Sequence, residues 1–100
     1  MNSYTYEEFL NLTKNLKFDE YESAASDKRT FIEDYDPELS FGENIEELLS
    51  WEYGVLIEET PSLDSLNFFG ALDTTPGRDR YFGKIVDDTG EIVAWYICED

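Results

Sequence analysis

Apolar residues along the first part of the chain recur every three or four positions. Phe9, Leu12 and Leu16 keep helical spacing, with Tyr6, Leu10 and Thr13 on the flanking rows. Thr5-Tyr6-Glu7-Glu8 reads as a capping box, Thr5 as N-cap with Glu8 reaching back to it. Lys14 and Lys17 then fall in the last turn, where cations suit the helix dipole. A helix over about residues 6–17 is predicted. A second stripe (Tyr21, Ala24, Ala25, Lys28, Phe31, Ile32, Tyr35) predicts a helix within 19–35, with Ser23 and Ser26-Asp27 leaving a loop as the alternative. It should end near Asp34, because Asp36 precedes Pro37 and is pushed toward extended backbone. Ser40-Phe41-Gly42-Glu43 offers another capping pattern. Ile45, Leu48, Leu49 and Glu52 or Tyr53 continue it, and Gly54 is placed to stop the helix.

Beyond Gly54 the period shortens. Val55-Leu56-Ile57 is a short strand candidate, closed by Glu58-Glu59-Thr60-Pro61. Residues 68–72, 80–86 and 91–98 are rich in aromatic and β-branched side chains. Thr75-Pro76-Gly77 and Asp87-Asp88-Thr89-Gly90 separate them as hairpin loops. In the last run Ile92, Ala94 and Tyr96 face one way and Val93, Trp95 and Ile97 the other, so both faces are apolar. One side should pack on helices, the other on a second layer or an exposed patch. The expected class is α+β, with two or three N-terminal helices on a small C-terminal antiparallel sheet of three or four strands. Residues 1–100 read as one acidic domain, long enough to bury roughly 60–70% of the unfolded surface.

Charge changes the picture more than length does. Twenty-four Asp and Glu against seven Lys and Arg give a net charge of −17. An aromatic fraction of 16% places that charge on a folded body and not on a disordered tail. Such a surface steers toward positive partners and is repelled by nucleic acid and anionic membrane, so neither is expected to bind directly. A general solubility or salt adaptation is the plainer alternative. The N-terminus has no basic start or apolar run, and no stretch approaches the ~18 apolar residues of a membrane span, so a cytoplasmic location is expected. Cys98 is the only cysteine and reads as a half-buried strand residue.

Candidate chemistry is mostly excluded. With no histidine, the usual general base, the commonest metal ligand and the ordinary Ser or Cys triad are missing. No glycine-rich phosphate loop occurs, and Lys84 reads as a strand residue, not a catalytic one. Asp34, Asp36 and Glu38 alternate like the start of an EF-hand loop, but Leu39 stands where glycine is required and Ile45 where the closing Glu belongs. An irregular calcium site there or at Asp87-Asp88, or a small enzyme using carboxylates alone, remains a minor alternative. No catalytic residue, metal site or cofactor is assigned.

The positive signal is how the acids are placed. Residues 19–59 hold fourteen acids and only two bases, Lys28 and Arg29, a net −12. The candidate partner-binding residues are Asp19, Glu20, Glu22, Glu33, Asp34, Asp36, Glu38, Glu43, Glu46, Glu47, Glu58 and Glu59, with Tyr35 and Trp51 as aromatic anchors. Glu43, Glu46 and Glu47 lie three and four apart, hence on one helical face. Successive helical turns set such carboxylates roughly 5–6 Å apart, comparable to phosphate spacing along a nucleic-acid strand. In size and composition the chain is similar to the small acidic nucleic-acid mimics with which phages block restriction or CRISPR effector enzymes. No motif ties it to one such family. The expected function is a monomeric inhibitor that occupies the positively charged nucleic-acid-binding surface of a nuclease or other effector. An immunity protein or antitoxin that neutralises a nuclease toxin would use the same electrostatics.

Overall fold

The alternating runs of the C-terminal part form strands that pair with their sequence neighbours, and a fourth strand joins them from further upstream. A computed structural model describes residues 4–73, 76–77 and 79–99. Among these residues three helices form, α1 (Tyr6–Thr13), α2 (Glu22–Glu33) and α3 (Phe41–Leu48). Four strands also form: β1 (Glu52–Val55), β2 (Asn67–Asp73), β3 (Arg80–Val86) and β4 (Ile92–Glu99). All pairings are antiparallel and the order across the sheet is β1-β4-β3-β2. The architecture is the expected α+β class. No helix among the described residues is long and apolar enough to cross a membrane.

Both capping boxes form as the sequence predicts, Thr5 with Glu8 and Ser40 with Glu43. The helix ends differ from expectation. α1 stops at Thr13, not near residue 17: the Thr13 hydroxyl donates to the Phe9 carbonyl at 2.8 Å, and a turn follows in which the Leu16 amide bonds the Thr13 carbonyl. α2 ends at Glu33 with Asp34 as its cap, as expected, but begins only at Glu22. Asp19 is held outside the helix by two 2.9 Å main-chain bonds to Gly70 of β2. α3 ends at Leu48, and Gly54 is not its stop. Gly54 lies inside β1 with no positive φ. The strand expected at 55–57 therefore occupies 52–55.

The turns follow the sequence reading. Gly77 and Gly90 take positive φ, 85° and 88°, which glycine adopts at little cost. Thr75 of the first loop lies outside the described residues. In the second loop the Asp87 carboxylate accepts from the amides of Thr89 and Glu91 and from the Thr89 hydroxyl, which closes the turn.

The two apolar faces of β4 are both covered. On one side α2 and α3 bury Ala24, Phe31, Phe41 and Ile45 against Phe68, Ile85, Ala94 and Tyr96. On the other, α1 places Phe9 over Ala71, Phe82, Trp95 and Ile97, with its ring centroid 5.1 Å from that of Trp95. The second layer is thus α1, and the sheet sits between helices. β4 lies between β1 and β3, so Trp95-Tyr96-Ile97 forms no edge, and the strand pairing between two copies considered for that segment has no free backbone there.

Large aromatics in the sheet rest on glycines of neighbouring strands. A Cβ added at Gly54 would come within 2.4 Å of the Trp95 indole, one at Gly83 within 2.1 Å of the Tyr96 ring, and one at Gly70 within 2.2 Å of the Tyr81 hydroxyl. Such contacts leave room for no side chain. Gly83→Ala should therefore cost about 1–3 kcal/mol or more through overpacking beneath a buried ring. Urea denaturation compares it with the solvent-facing Gly77→Asn, which retains a residue tolerant of positive φ and should cost much less.

Candidate protein interface

Eleven of the fourteen acids in residues 19–59 are exposed, while Asp27, Asp36 and Glu52 are half-buried. The fold divides them. α2 packs over β2 and α3 over β1, the two outer strands of the sheet, which lie about 14 Å apart at ordinary strand spacing. Asp19, Glu20 and Glu22 lie at or beside the β2 edge, because Asp19 is bonded to Gly70. Glu33, Asp34, Asp36 and Glu38 follow the end of α2 and the turn into α3. Glu43, Glu46 and Glu47 stand on α3, and Glu58 and Glu59 follow β1. The structure therefore brings the α3 acids beside β1 and leaves the 19–22 group at the opposite edge.

The α3 carboxylates and β1 form one electrostatic neighbourhood. The Tyr53 hydroxyl of β1 approaches Glu46 Oε2 at 3.5 Å. Burial, then the nearby Glu46 and Glu43 carboxylates, raises the Tyr53 phenol above its ordinary value. Glu43 also accepts from the Ser40 amide at 3.1 Å, so its carboxylate is part of the helix cap as well as of the acidic face. Among the described residues one ion pair is present, Arg80 to Asp73 at 2.8 Å, and it joins β3 to β2 away from the α3 face. Arg78 lies outside the described residues.

Asn44 fixes the turn that carries Asp36 and Glu38. It is 1% exposed and points into the 36–40 segment. Its Oδ1 accepts from the Asp36 amide at 2.8 Å, and its Nδ2 donates to the carbonyls of Asp36 and Ser40 at 3.0 and 2.9 Å. One side chain thus pairs the main-chain groups of an irregular segment that no ladder serves. Asp36 itself accepts from the Glu38 amide, a local turn bond that engages its carboxylate. No group of three or more acids or Cys placed to hold a metal occurs among the described residues.

The aromatics interleaved with the acids separate sharply. Phe31 and Phe41 are core residues, so they cannot anchor a partner, and Tyr35 is half-buried with its ring edge against Phe31 at 5.3 Å. Trp51 is 73% exposed, at the entry to β1 just after α3. Leu56, immediately after β1, is also exposed. The Lys84 Nζ lies 4.5 Å from the Phe18 ring centroid, a cation–π contact. Cys98 is half-buried in β4, and its Sγ donates to the Leu49 carbonyl.

The sequence reading missed a buried polar cluster. Asp27, on the inner face of α2, accepts from the Tyr96 hydroxyl at 2.7 Å. The Tyr81 hydroxyl is buried alongside and makes no hydrogen bond of regular geometry. Burial raises the Asp27 carboxyl above the usual Asp range, opposed by the Tyr96 hydrogen bond and by the nearby Tyr81 hydroxyl. Burial, then the Asp27 charge, raises both phenols strongly. The signal was present: Asp27 occupies the position between Ala24 and Phe31 on one helical stripe, where an apolar residue belongs. Compared with protein-family models, with curated proteins and with solved structures, the chain matches none.

Two measurements test this geometry. Asn44→Ala should lower stability by about 1–3 kcal/mol, because the Asp36 amide loses its acceptor and the carbonyls of Asp36 and Ser40 each lose one of their donors. Hydrogen exchange should show the loss concentrated in the 36–40 turn. For Asp27, the folded chain holds the proton more tightly than the unfolded chain does. Its contribution to stability is therefore fullest below the ordinary Asp value of 3.8 and declines as pH rises through the raised folded value. Asp27→Asn keeps an acceptor for Tyr96 without the charge, so it should gain stability relative to the parent as pH rises from about 4 toward neutrality. Asp27→Ala should instead cost about 1–3 kcal/mol, leaving the buried Tyr96 hydroxyl without its partner. Urea denaturation across pH separates these outcomes.

Proposed function

We propose that this protein is an inhibitor of the nucleic-acid-mimic type, acting in the cytoplasm. It docks its acidic α3–β1 surface on the positively charged nucleic-acid-binding surface of a nuclease or other effector, in the manner of phage proteins that block restriction or CRISPR enzymes. The observation that carries this reading is Trp51, 73% exposed and three residues beyond the end of the acid-bearing helix α3. A tryptophan left outside a core this rich in aromatics supports a role in binding, where Trp is enriched at energetic hot spots. The carboxylates of α3 would pair with the Arg and Lys that otherwise hold phosphates. Attraction between surfaces of opposite charge makes association fast and sensitive to salt. The inhibition is competitive and needs no reaction by this chain.

The structure also refines which substitutions test it. Glu43 serves the helix cap, so its charge is better removed as Glu43→Gln, which keeps an acceptor for the Ser40 amide. Glu46→Lys with Glu47→Lys reverses charge on the α3 face without touching that cap. The tagged chain is used to capture its partner from host lysate, and displacement of nucleic acid from the purified partner is then measured. Glu46→Lys/Glu47→Lys should weaken displacement, more at low salt than at high. Trp51→Ala should weaken it by about 2 kcal/mol, roughly thirtyfold. Displacement that survives these changes but is lost on substituting exposed Leu72 of β2 overturns the site. A captured partner that binds no nucleic acid overturns the mimicry, and recovery of a toxin nuclease identifies an immunity protein instead.

A further inference from the structure

The two edges of the sheet are treated differently by the fold. The outer side of β2 is met by the chain itself, through the reciprocal bonds between Asp19 and Gly70. The outer side of β1 has no such cover among the described residues. The Leu56 amide donates to the Val93 carbonyl at 2.9 Å, and Val55 stands opposite Ala94. In an antiparallel ladder the bonded pairs alternate, so Gly54 and Glu52 turn their main-chain groups toward β4 while Tyr53 and Val55 turn theirs outward. No backbone bond from another described segment meets those outward groups. All four β1 residues are half-buried, in contrast to the buried centre of β4.

A groove of about 260 Å³ opens beside this edge. Phe41, Val55 and Ile57 form its apolar wall, with Glu58 and Glu59 among the residues that line it. An apolar wall with carboxylates near it suits a side chain that has an aliphatic stem and a cationic tip, as Lys and Arg have. The partial positive charge of the α3 N-terminus is offset by Glu43 in the capping box.

We propose that the outer edge of β1 accepts an extended, basic segment of the partner as an added strand, with one Lys or Arg side chain seated in the groove. This rests on the basic partner of the proposed function and names how it is gripped. Main-chain bonds to Tyr53 and Val55 supply affinity, and the acids beside the edge select the charge. Charge also decides against a second copy as the occupant. Two chains of net charge −17 would bring Glu46, Glu58 and Glu59 of each against the other, and charged residues at an edge oppose self-pairing.

The test uses the full chain and a fluorescent synthetic peptide of alternating lysine and valine, with oligolysine of equal length as control. The alternating peptide should bind more tightly and should slow amide exchange at Tyr53 and Val55 by NMR. Val55→Pro removes an outward donor that the sheet does not use and should weaken binding at least about tenfold, with the circular dichroism unchanged. If that variant does not fold, amide protection in the parent chain decides alone. Glu58→Gln with Glu59→Gln should weaken binding and flatten its salt dependence. Equal binding of oligolysine, full binding by folded Val55→Pro, or unchanged exchange at Tyr53 and Val55 overturns the proposal. Because no nucleic acid enters this measurement, peptide binding that fails while nucleic-acid displacement succeeds removes the strand addition alone. The reverse result removes the inhibitor reading and leaves the edge.

Discussion

Two consecutive residues of the central strand set the geometry on which the rest of the structure depends. Trp95 and Tyr96 point to opposite faces of the sheet, and each covers a glycine on a different neighbour, Gly54 of β1 and Gly83 of β3. A slip of one residue in either pairing would put a side chain where the ring must lie, so these contacts index the register of three strands. The helices are referred to the same two residues. Phe9 of α1 stacks near Trp95, and Asp27 of α2 bonds Tyr96. Packing on both faces of β4 is thus organised from one dipeptide.

This arrangement also bears the electrostatic load. A chain of net charge −17 repels itself when compact, and burial of aromatic and aliphatic surface on two faces of one sheet opposes that repulsion. The exposed acids stand outside that core, on helix faces and connecting segments, with Asn44 holding the most irregular of these in place. Asp27, half-buried on the inner face of α2, is tolerated because a hydroxyl donates to it and because its proton is held more tightly there.

Local signals in the sequence carried far. Both capping boxes, the end of α2 at its Asp34 cap, the β3 boundaries and the two glycine turns follow from residues within a few positions of one another. What was illegible depends on distant partners. Gly54 resembles a helix stop until Trp95 is seen above it, and nothing near residue 49 shows that α3 must end to feed a strand. The acidic block is continuous in sequence but split in space, because Asp19 is drawn to Gly70. Phe31 and Trp51 look alike as interleaved aromatics, and only the packing of α2 on the sheet sorts one into the core and the other outside it.

That sorting has an optical consequence. The chain contains two tryptophans, Trp95 at 2% exposure in the core and Trp51 at 73% in solvent. One indole emits from an apolar enclosure and the other from water, so the blue and red sides of the emission band belong to different places in the molecule. A soluble quencher reaches Trp51 and leaves Trp95 bright. Loss of the fold, which exposes Trp95, and a change around Trp51 would therefore carry separate optical signatures within the unlabelled chain.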